Sequence, residues 1–388
     1  MKIGFIGFGK LGQPCGEVIQ DKGHDVVYYD VNSEIDTSVV ECATIELCVS
    51  DRDIVFIAVP TPHDTAYDGS SPSASLPPKD FDYTTVIECV TEANRFMHKN
   101  QLLVLISTVL PGTVRSQFVP LVTNTRFAYN PYLIAMGTVA WDMVNPEMIM
   151  IGTEDGSETG DAKQLKEFYD TIMENDPRVI IGTWDECECI KVFYNTFISA
   201  KIGLVNMIQD VAEKQGNINT DVVTSALRDS TDRIMGPSYM KAGMGDGGAC
   251  HPRDNIALRF MADKLDLKYD LFGAVMHSRE IQASNMAQAI AMSGDKIAFT
   301  SDSYKPFVPY TNGSYSLLVQ HYVKQCGATI VPIHECPDVI VRVHESDVIP
   351  EHQGNITVFD PWRSYRSNEY TVISYGNTRE TSNEKVME

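Results

Sequence analysis

Four groups of residues in this chain have types and spacings that could do chemistry. The first is Gly7-Phe8-Gly9-Lys10-Leu11-Gly12, which follows an apolar run and precedes a helical pattern, with Asp30 closing the next apolar run 18 residues after Gly12. Glycines so spaced let the backbone approach a pyrophosphate at a helix N-terminus, and a carboxylate at that distance binds ribose hydroxyls. That carboxylate would repel a 2′-phosphate, so the expected cofactor is NAD rather than NADP. Glycines alone also fit a plain tight turn; the strand before and the helix after favour the dinucleotide.

The second group is Ala58-Val59-Pro60-Thr61-Pro62 with Ser107-Thr108-Val109-Leu110-Pro111-Gly112-Thr113. Both stretches follow apolar runs, so both belong at strand carboxyl ends, where open α/β sheets take ligands. Val59, Pro60, Thr61 and Ser107 are expected beside the cofactor. Thr108 either holds a water or a substrate hydroxyl or caps the following turn, and its type does not choose between these. The third group is Lys191 and Asn195, at i and i+4 and therefore on one helix face. An ammonium beside an amide suits an incipient oxyanion; the plain alternative is a solvated surface pair, although both residues flank the stripe of Tyr194 and Ile198. The fourth is the run from Gly243 to Asp254, GMGDGGACHPRD. Gly243, Gly245, Gly247 and Gly248 suit a loop that offers backbone amides. The loop ends at Cys250, just before a helical pattern. A helix N-terminus with His251 and Arg253 nearby favours the thiolate, so Cys250 is read as a nucleophile rather than an inert buried thiol.

Those residues need a frame. Short apolar runs at 3–6, 26–29, 54–59 and 102–106, with later ones at 148–151 and 179–181, alternate with helical pattern. This predicts a doubly wound α/β domain with a parallel sheet. Thr183-Trp184-Asp185-Glu186 has the form of a capping box, and apolar periodicity then continues to Gly216. The result is a helix of about 32 residues and about 48 Å, long enough to link domains or to pack on a second copy. Helical pattern resumes over 221–227 and 253–291. A second α/β unit follows, with strands at 296–299, at 328–333 and ending near Phe359, and a helix at 314–325. The stretch 61–80 reads as a long surface loop. The division this implies is 1–182 for a Rossmann-like dinucleotide-binding domain, 183–285 for a central helical domain with the cysteine loop, and 286–388 for a second Rossmann-like domain.

Composition narrows the class. The 388 residues carry 52 acidic and 31 basic side chains, a net charge of −21. So acidic a chain lacks the cation surplus that sequence-independent nucleic-acid or anionic-membrane binding requires. No apolar run is long enough to span a bilayer, and the N-terminus shows no secretory pattern. Nine cysteines, without a CxxC pair and with only Cys187 and Cys189 close together, give no zinc pattern, and no metal is expected. A reduced, cytoplasmic setting is the expectation.

Taken together, these motifs resemble the UDP-glucose/GDP-mannose dehydrogenase family over nearly the whole chain: the glycine fingerprint, VPTP, STVLPGT, Asn130-Pro131, the 188–206 helix segment, the cysteine loop and 296–306. The resemblance implies two Rossmann-like domains joined by a long helix that forms a homodimer interface. It also implies oxidation of a nucleotide sugar's primary alcohol to the uronate by two hydride transfers to NAD. Cys250 would be the covalent nucleophile, Lys191 and Asn195 the oxyanion and substrate contacts, and Thr108 and Asp254 the holders of an assisting water. Tyr132, Leu133, Lys241, the loop glycines 243, 245, 247 and 248, and Lys305 would contact the substrate. The chain departs from the family at Tyr132 and Met136, where glutamates stand, and at Asp246, Arg253, Ile234 and Asn312. The segment between Asp30 and Asp53 is also short. Tyr132 cannot replace a carboxylate base near neutral pH. Two other readings therefore accompany the first: a two-electron alcohol dehydrogenase of the β-hydroxyacid type, and a non-catalytic nucleotide-sugar-binding relative.

Overall fold

The computed structural model describes residues 1–32, 34–62, 76, 77, 79–134, 138–236, 242–244, 252, 259, 262–307, 311, 313–352 and 354–377. It divides into two compact units, Met1–Ala200 and Lys201–Glu388.

The first unit is built on strands β1 (Lys2–Ile6), β2 (Asp25–Tyr29), β3 (Val40–Glu41), β4 (Ile54–Ile57), β5 (Leu102–Leu105), β6 (Arg126–Tyr129), β7 (Met148–Thr153) and β8 (Arg178–Thr183). They form one sheet in the order β3-β2-β1-β4-β5-β6-β7-β8. Every pairing is parallel except β6 with β7. Strands β4 and β5 are buried at every residue. Their unbroken apolar runs reflect helices covering both faces of a parallel sheet. Helices α1 (Gly12–Asp21), α2 (Ile45–Val49), α3 (Thr84–Phe96), α4 (Val139–Val144) and α5 (Gly160–Asp170) connect these strands. One core joins Phe5, Phe8, Ile19, Phe56 and Phe168. The other joins Val86, Val90, Leu103, Phe118 and Trp184. The strand order reverses between β1 and β4, and that switch point opens a crevice at their carboxyl ends.

Helix α6 (Trp184–Gln215) is continuous over 32 residues. Its capping box forms as the sequence predicts: the Thr183 N–H donates to Glu186 Oε2 at 2.9 Å and the Glu186 N–H to Thr183 Oγ1 at 3.3 Å. Gly216, at φ 76°, ends it in the left-handed conformation.

In the second unit α7 (Thr220–Arg228) is followed by α8 (Leu271–Ala291) and α9 (Tyr315–Gln325). The helical pattern expected over 253–291 is interrupted. Asp266 and Lys268 have φ values of 52° and 70°. Asp270 then opens α8 by accepting the Gly273 N–H at 2.7 Å. Strands β9 (Lys296–Phe299), β10 (Thr329–Ile330), β11 (Val339–Val341), β12 (Thr357–Asp360) and β13 (Thr371–Ser374) make an all-parallel sheet in the order β10-β9-β11-β12-β13. Helices α8 and α9 cover it through Ala283, Ala287, Ile290, Val319 and Val323. No described helix is long and apolar enough to cross a membrane.

Candidate active site

The switch point of the first sheet gathers the glycine fingerprint, Asp30 and the two loops after β4 and β5. Gly7 takes φ 92°, and a Cβ there would lie 2.9 Å from the Ala58 carbonyl. Gly12 approaches more closely still, since its Cβ would meet the Gly7 oxygen at 2.2 Å. Gly9 differs: a Cβ there meets nothing within 4 Å. The loop is thus tight at both ends and open at its tip, the cradle a pyrophosphate needs. Lys10 is exposed and Leu11 half-buried beside it. Phe8 enters this site only through its backbone. Its ring is buried and stacked on Tyr28, centroids 4.1 Å apart and planes at 11°. Its N–H donates to Asp30 Oδ2 at 2.6 Å, while the Asn32 N–H donates to Asp30 Oδ1 at 2.8 Å. Each carboxylate oxygen therefore holds one backbone donor and keeps acceptor capacity for a ribose hydroxyl. NAD fits these residues.

The loops after β4 and β5 are fastened to one another. Ser107 Oγ donates to the Val59 carbonyl at 2.6 Å, and Thr61 Oγ1 to the Thr108 carbonyl at 2.7 Å. These hydroxyl protons serve the scaffold. Val59 is buried and Pro60 exposed. Thr108 is half-buried.

Lys191 projects from the second turn of α6 and donates to the Tyr132 carbonyl at 2.5 Å. Burial lowers the pKa of its amine. Asn195, one turn on, is exposed, as are Phe193, Phe197 and Ile198. Tyr132 turns its phenol onto the Tyr169 hydroxyl at 2.9 Å, and Tyr169 in turn donates to Asn130 Oδ1. Asn130 Nδ2 donates to the Met150 carbonyl at 2.6 Å. Desolvation, with Tyr169 nearby, pushes the Tyr132 phenol well above its usual range. Leu133 is half-buried and packs on the core beneath the sheet.

One residue at this edge stands out though the sequence reading gave it no role. Glu188 is fully buried. It accepts the Gly112 N–H at 2.6 Å on Oε2 and the Val114 N–H at 2.7 Å on Oε1. Desolvation raises its pKa to about 7, against the pull of those two donors. The signal was present in the spacing: Trp184, Cys187, Glu188 and Lys191 share one helix face, so a carboxylate sits on the buried stripe.

In the second unit, the start of the cysteine loop lies against the end of β12. A Cβ on Gly243 would meet the Trp362 ring at 2.4 Å, and Arg363 donates to the Ala242 carbonyl at 2.5 Å. Lys305 is exposed after β9, its carbonyl accepting from Ser303 Oγ at 3.0 Å. Lys241, Gly245, Gly247, Gly248, Cys250 and Asp254 lie outside the described residues, as do Met136, Asp246, Arg253, Asn312 and most of the 61–80 loop. Among the described thiols, Cys15, Cys48, Cys89 and Cys187 are buried.

Comparison with known proteins gives two family matches. Residues 37–173 match the NAD binding domain, and residues 185–280 the central domain, of the UDP-glucose/GDP-mannose dehydrogenase family. The two spans together take in more than half of the chain. The chain is 29% identical over 317 residues to GDP-mannose 6-dehydrogenase of Pseudomonas aeruginosa, covering 73% of this chain and 69% of that protein. It is 25% identical over 339 residues to UDP-glucose 6-dehydrogenase of Rickettsia prowazekii, covering 79% and 74%. Among solved structures, a ternary complex of GDP-mannose dehydrogenase from Pseudomonas aeruginosa shares the fold, with a TM-score of 0.79, 20% identity, and coverage of 96% of this chain and 99% of that one.

Proposed function

The chain belongs to the UDP-glucose/GDP-mannose dehydrogenase family and carries that family's NAD-binding domain, and on this basis we propose that it oxidises the primary alcohol of a UDP-glucose-like nucleotide sugar to the uronate. The observation that carries the reading is the switch-point cradle of open Gly9, Gly7, Gly12 and Asp30, facing loops tied to the helix that bears Lys191. NAD, when bound, supplies the hydride acceptor for both oxidations. Asp30 would hold the adenosine ribose and the fingerprint amides the pyrophosphate.

The chain's own groups then act on the sugar. Thr108 and Asp254 would hold the water that receives the alcohol proton. The Cys250 thiolate would add to the aldehyde carbon, giving a thiohemiacetal, and the second oxidation converts it to a thioester that water cleaves. Lys191 gives one N–H to the Tyr132 carbonyl and keeps two for the oxyanion, which Asn195 would share. Lys241, Lys305, Tyr132, Leu133 and glycines 243, 245, 247 and 248 would shape the nucleotide-sugar site. The domain division at 182 and 285 follows these roles. The exposed Phe193, Phe197, Ile198, Leu204 and Val205 on α6 support a homodimer through that helix. A thiolate nucleophile at Cys250 would need a reducing setting, in keeping with a cytoplasmic location.

One observation favours a second reading for the last step. The Tyr132 phenol is bonded to Tyr169 and held protonated, so it cannot activate the hydrolytic water. An enzyme that releases aldehyde or stalls as the thioester would give one or two NADH without free uronate. The test is to incubate the protein with NAD and a panel of UDP-, GDP- and dTDP-sugars, counting NADH and uronate per sugar consumed. Two NADH with uronate supports the full oxidation. One NADH, or two without uronate, supports a two-electron or stalled enzyme, and binding without turnover supports a non-catalytic relative. Full uronate production by Cys250→Ser would overturn the thioester route.

A further inference from the structure

Helix α6 brings a carboxylate into the protein interior with no cation bonded to it among the described residues. The other fully buried carboxylate among the described residues, Asp360, pairs with Arg342 at 3.3 Å. Glu188 instead receives two peptide N–H groups, from Gly112 and Val114, at 2.6 and 2.7 Å. Gly112 has φ 88°, so its amide and that of Val114 converge on one anion as a nest does. An unpaired buried carboxylate weakens a fold relative to an apolar residue of similar volume. Its presence therefore asks for a purpose other than stability.

Position supplies one. The turn it grips ends the 107–113 segment, whose Thr108 carbonyl is already fastened by Thr61 Oγ1. The helix it comes from presents Lys191 three residues later, on the same face. Arg115 makes a parallel link, to Asp185 at 2.9 Å and over the Trp184 ring at 5.1 Å. That outer link is half-exposed, so it adds little to the rigidity of the joint.

We propose that Glu188 is a positioning residue for nucleotide-sugar oxidation: its carboxylate fixes the Thr108 turn to the helix that carries Lys191. The proposal rests on the oxidation reading above. A carboxylate suits the task because both of its oxygens accept, whereas an amide must turn an NH2 toward one of the two N–H donors. Protonation has a similar effect, since the O–H oxygen then faces a donor.

The groups around Glu188 allow that protonation to be read cleanly. Asp185 on its own helix raises its pKa and Arg115, from the packed segment, lowers it. Tyr129 of β6 and the Cys187 and Cys189 thiols of α6 are all pushed upward by burial. Lys191, three residues on along the same face, is lowered by its own burial; among these described groups it is Glu188 that is brought to about 7.

The experiment compares wild type with Glu188→Gln in the full chain. Two readouts are taken: hydrogen exchange at the Gly112 and Val114 amides, and steady-state kinetics from pH 6 to 8.5. At pH 8 the variant is expected to lose protection at those amides. Its kcat should fall about 10- to 100-fold, the scale of an ångström-sized misplacement, with the KM for NAD within about 3-fold. Wild-type kcat should show, beyond whatever limb the Cys250 thiolate contributes to both proteins, a further acid limb with a midpoint near 7 that the variant lacks. Lost protection with unchanged kcat and pH profile overturns the positioning role, and unchanged protection overturns the contact itself. Should the variant not fold, wild type alone decides: after correction for intrinsic exchange, the two amides must be less protected at pH 6 than at pH 8, and equal protection refutes the proposal. A wild type that turns over no nucleotide sugar overturns the oxidation reading and this role with it, while the exchange arm still reports whether the clamp exists.

Discussion

Asp30→Asn isolates the cofactor carboxylate without changing side-chain volume. In the wild type both oxygens are engaged by backbone donors, Phe8 N–H at 2.6 Å and Asn32 N–H at 2.8 Å. An asparagine satisfies one of them with its carbonyl oxygen and turns its NH2 toward the other, whichever way the amide is flipped. One charge-assisted hydrogen bond is therefore lost and the acceptor shared with a ribose hydroxyl is halved. A hydrogen bond to a charged group contributes about 1.5–3 kcal/mol. At 1.4 kcal/mol per tenfold, that gives a KM for NAD raised about 10- to 100-fold. Asp30 follows β2 directly, where the proposed binding mode puts the ribose, so kcat at saturating NAD should stay within about 3-fold. Removing the negative charge should also raise kcat/KM for NADP, because its 2′-phosphate no longer meets a carboxylate. The assay is initial-rate kinetics with each cofactor at a fixed, saturating nucleotide sugar. A variant with unchanged KM for NAD, or one whose loss is all in kcat, would refute the placement of the ribose on Asp30.

The remaining tests probe other parts of the same edge. Gly9→Ala should leave the melting temperature of the free protein unchanged, since nothing lies within 4 Å of the new Cβ, yet raise the KM for NAD at least about 10-fold. Gly12→Ala should instead destabilise the free protein by about 1–3 kcal/mol in calorimetry, as its Cβ meets the Gly7 oxygen at 2.2 Å; the reverse pattern would mean the cradle is misassigned. Tyr132→Phe removes one hydroxyl bond but no ionisable base at working pH, so turnover should stay within about 3-fold, and a 100-fold loss would restore a chemical role to the phenol. The half-buried Cys42 thiol, lowered by its Cys48 neighbour and by Arg52, should be alkylated by iodoacetamide at a lower pH than Cys15 and Cys187, which burial pushes up to about 12 and which should stay unmodified at pH 8; mass mapping decides. Glu188 has a raised folded pKa, about 7 against an ordinary 4.5, so its contribution to stability is complete below 4.5 and is lost as the pH rises through 7. The stability difference between wild type and Glu188→Gln should therefore shift toward the variant by on the order of 3 kcal/mol between pH 4.5 and 8. Urea titrations at the two ends of that range measure it, and a pH-independent difference would contradict it.

The legibility of this fold followed the length of each apolar run. Strands such as β4 and β5 are unbroken and buried on both faces, and their runs stand out in the sequence. Strand β6, Arg-Phe-Ala-Tyr, buries three residues behind an arginine that pairs with Asp161 on α5, so it offers too short a run to detect. Strand β3 is a two-residue, exposed edge and has no hydrophobic signature. In the second sheet β11 is only three residues long and runs into buried Arg342, whose partner Asp360 closes β12; a charge that is internally paired reads in sequence like a loop. The break before α8 was hidden for a different reason. Asp266 and Lys268 adopt positive φ values without being glycine, so the apolar periodicity continues through a point where the backbone does not.

The site shows the same division between pattern and geometry, with one instructive exception. Glycine spacing and Asp30 marked the tight turn after β1 because a glycine's type declares its backbone freedom and an aspartate's its carboxylate. Lys191 was legible as a cation on a helix, but not its hold on the Tyr132 carbonyl, which depends on a loop far away in sequence. Glu188 declares neither partner: Gly112 and Val114 stand 76 and 74 residues before it. A carboxylate on a buried stripe still announces that something must receive it, because an ionised group without donors is not retained in an interior. Its raised pKa and its two short bonds are consequences of one arrangement, in which desolvation opposes the charge and the amide nest requires it. The contribution of Glu188 to stability should accordingly be greatest at a pH where this joint is loosest, and turnover fastest where the joint is tight and that contribution has been given up.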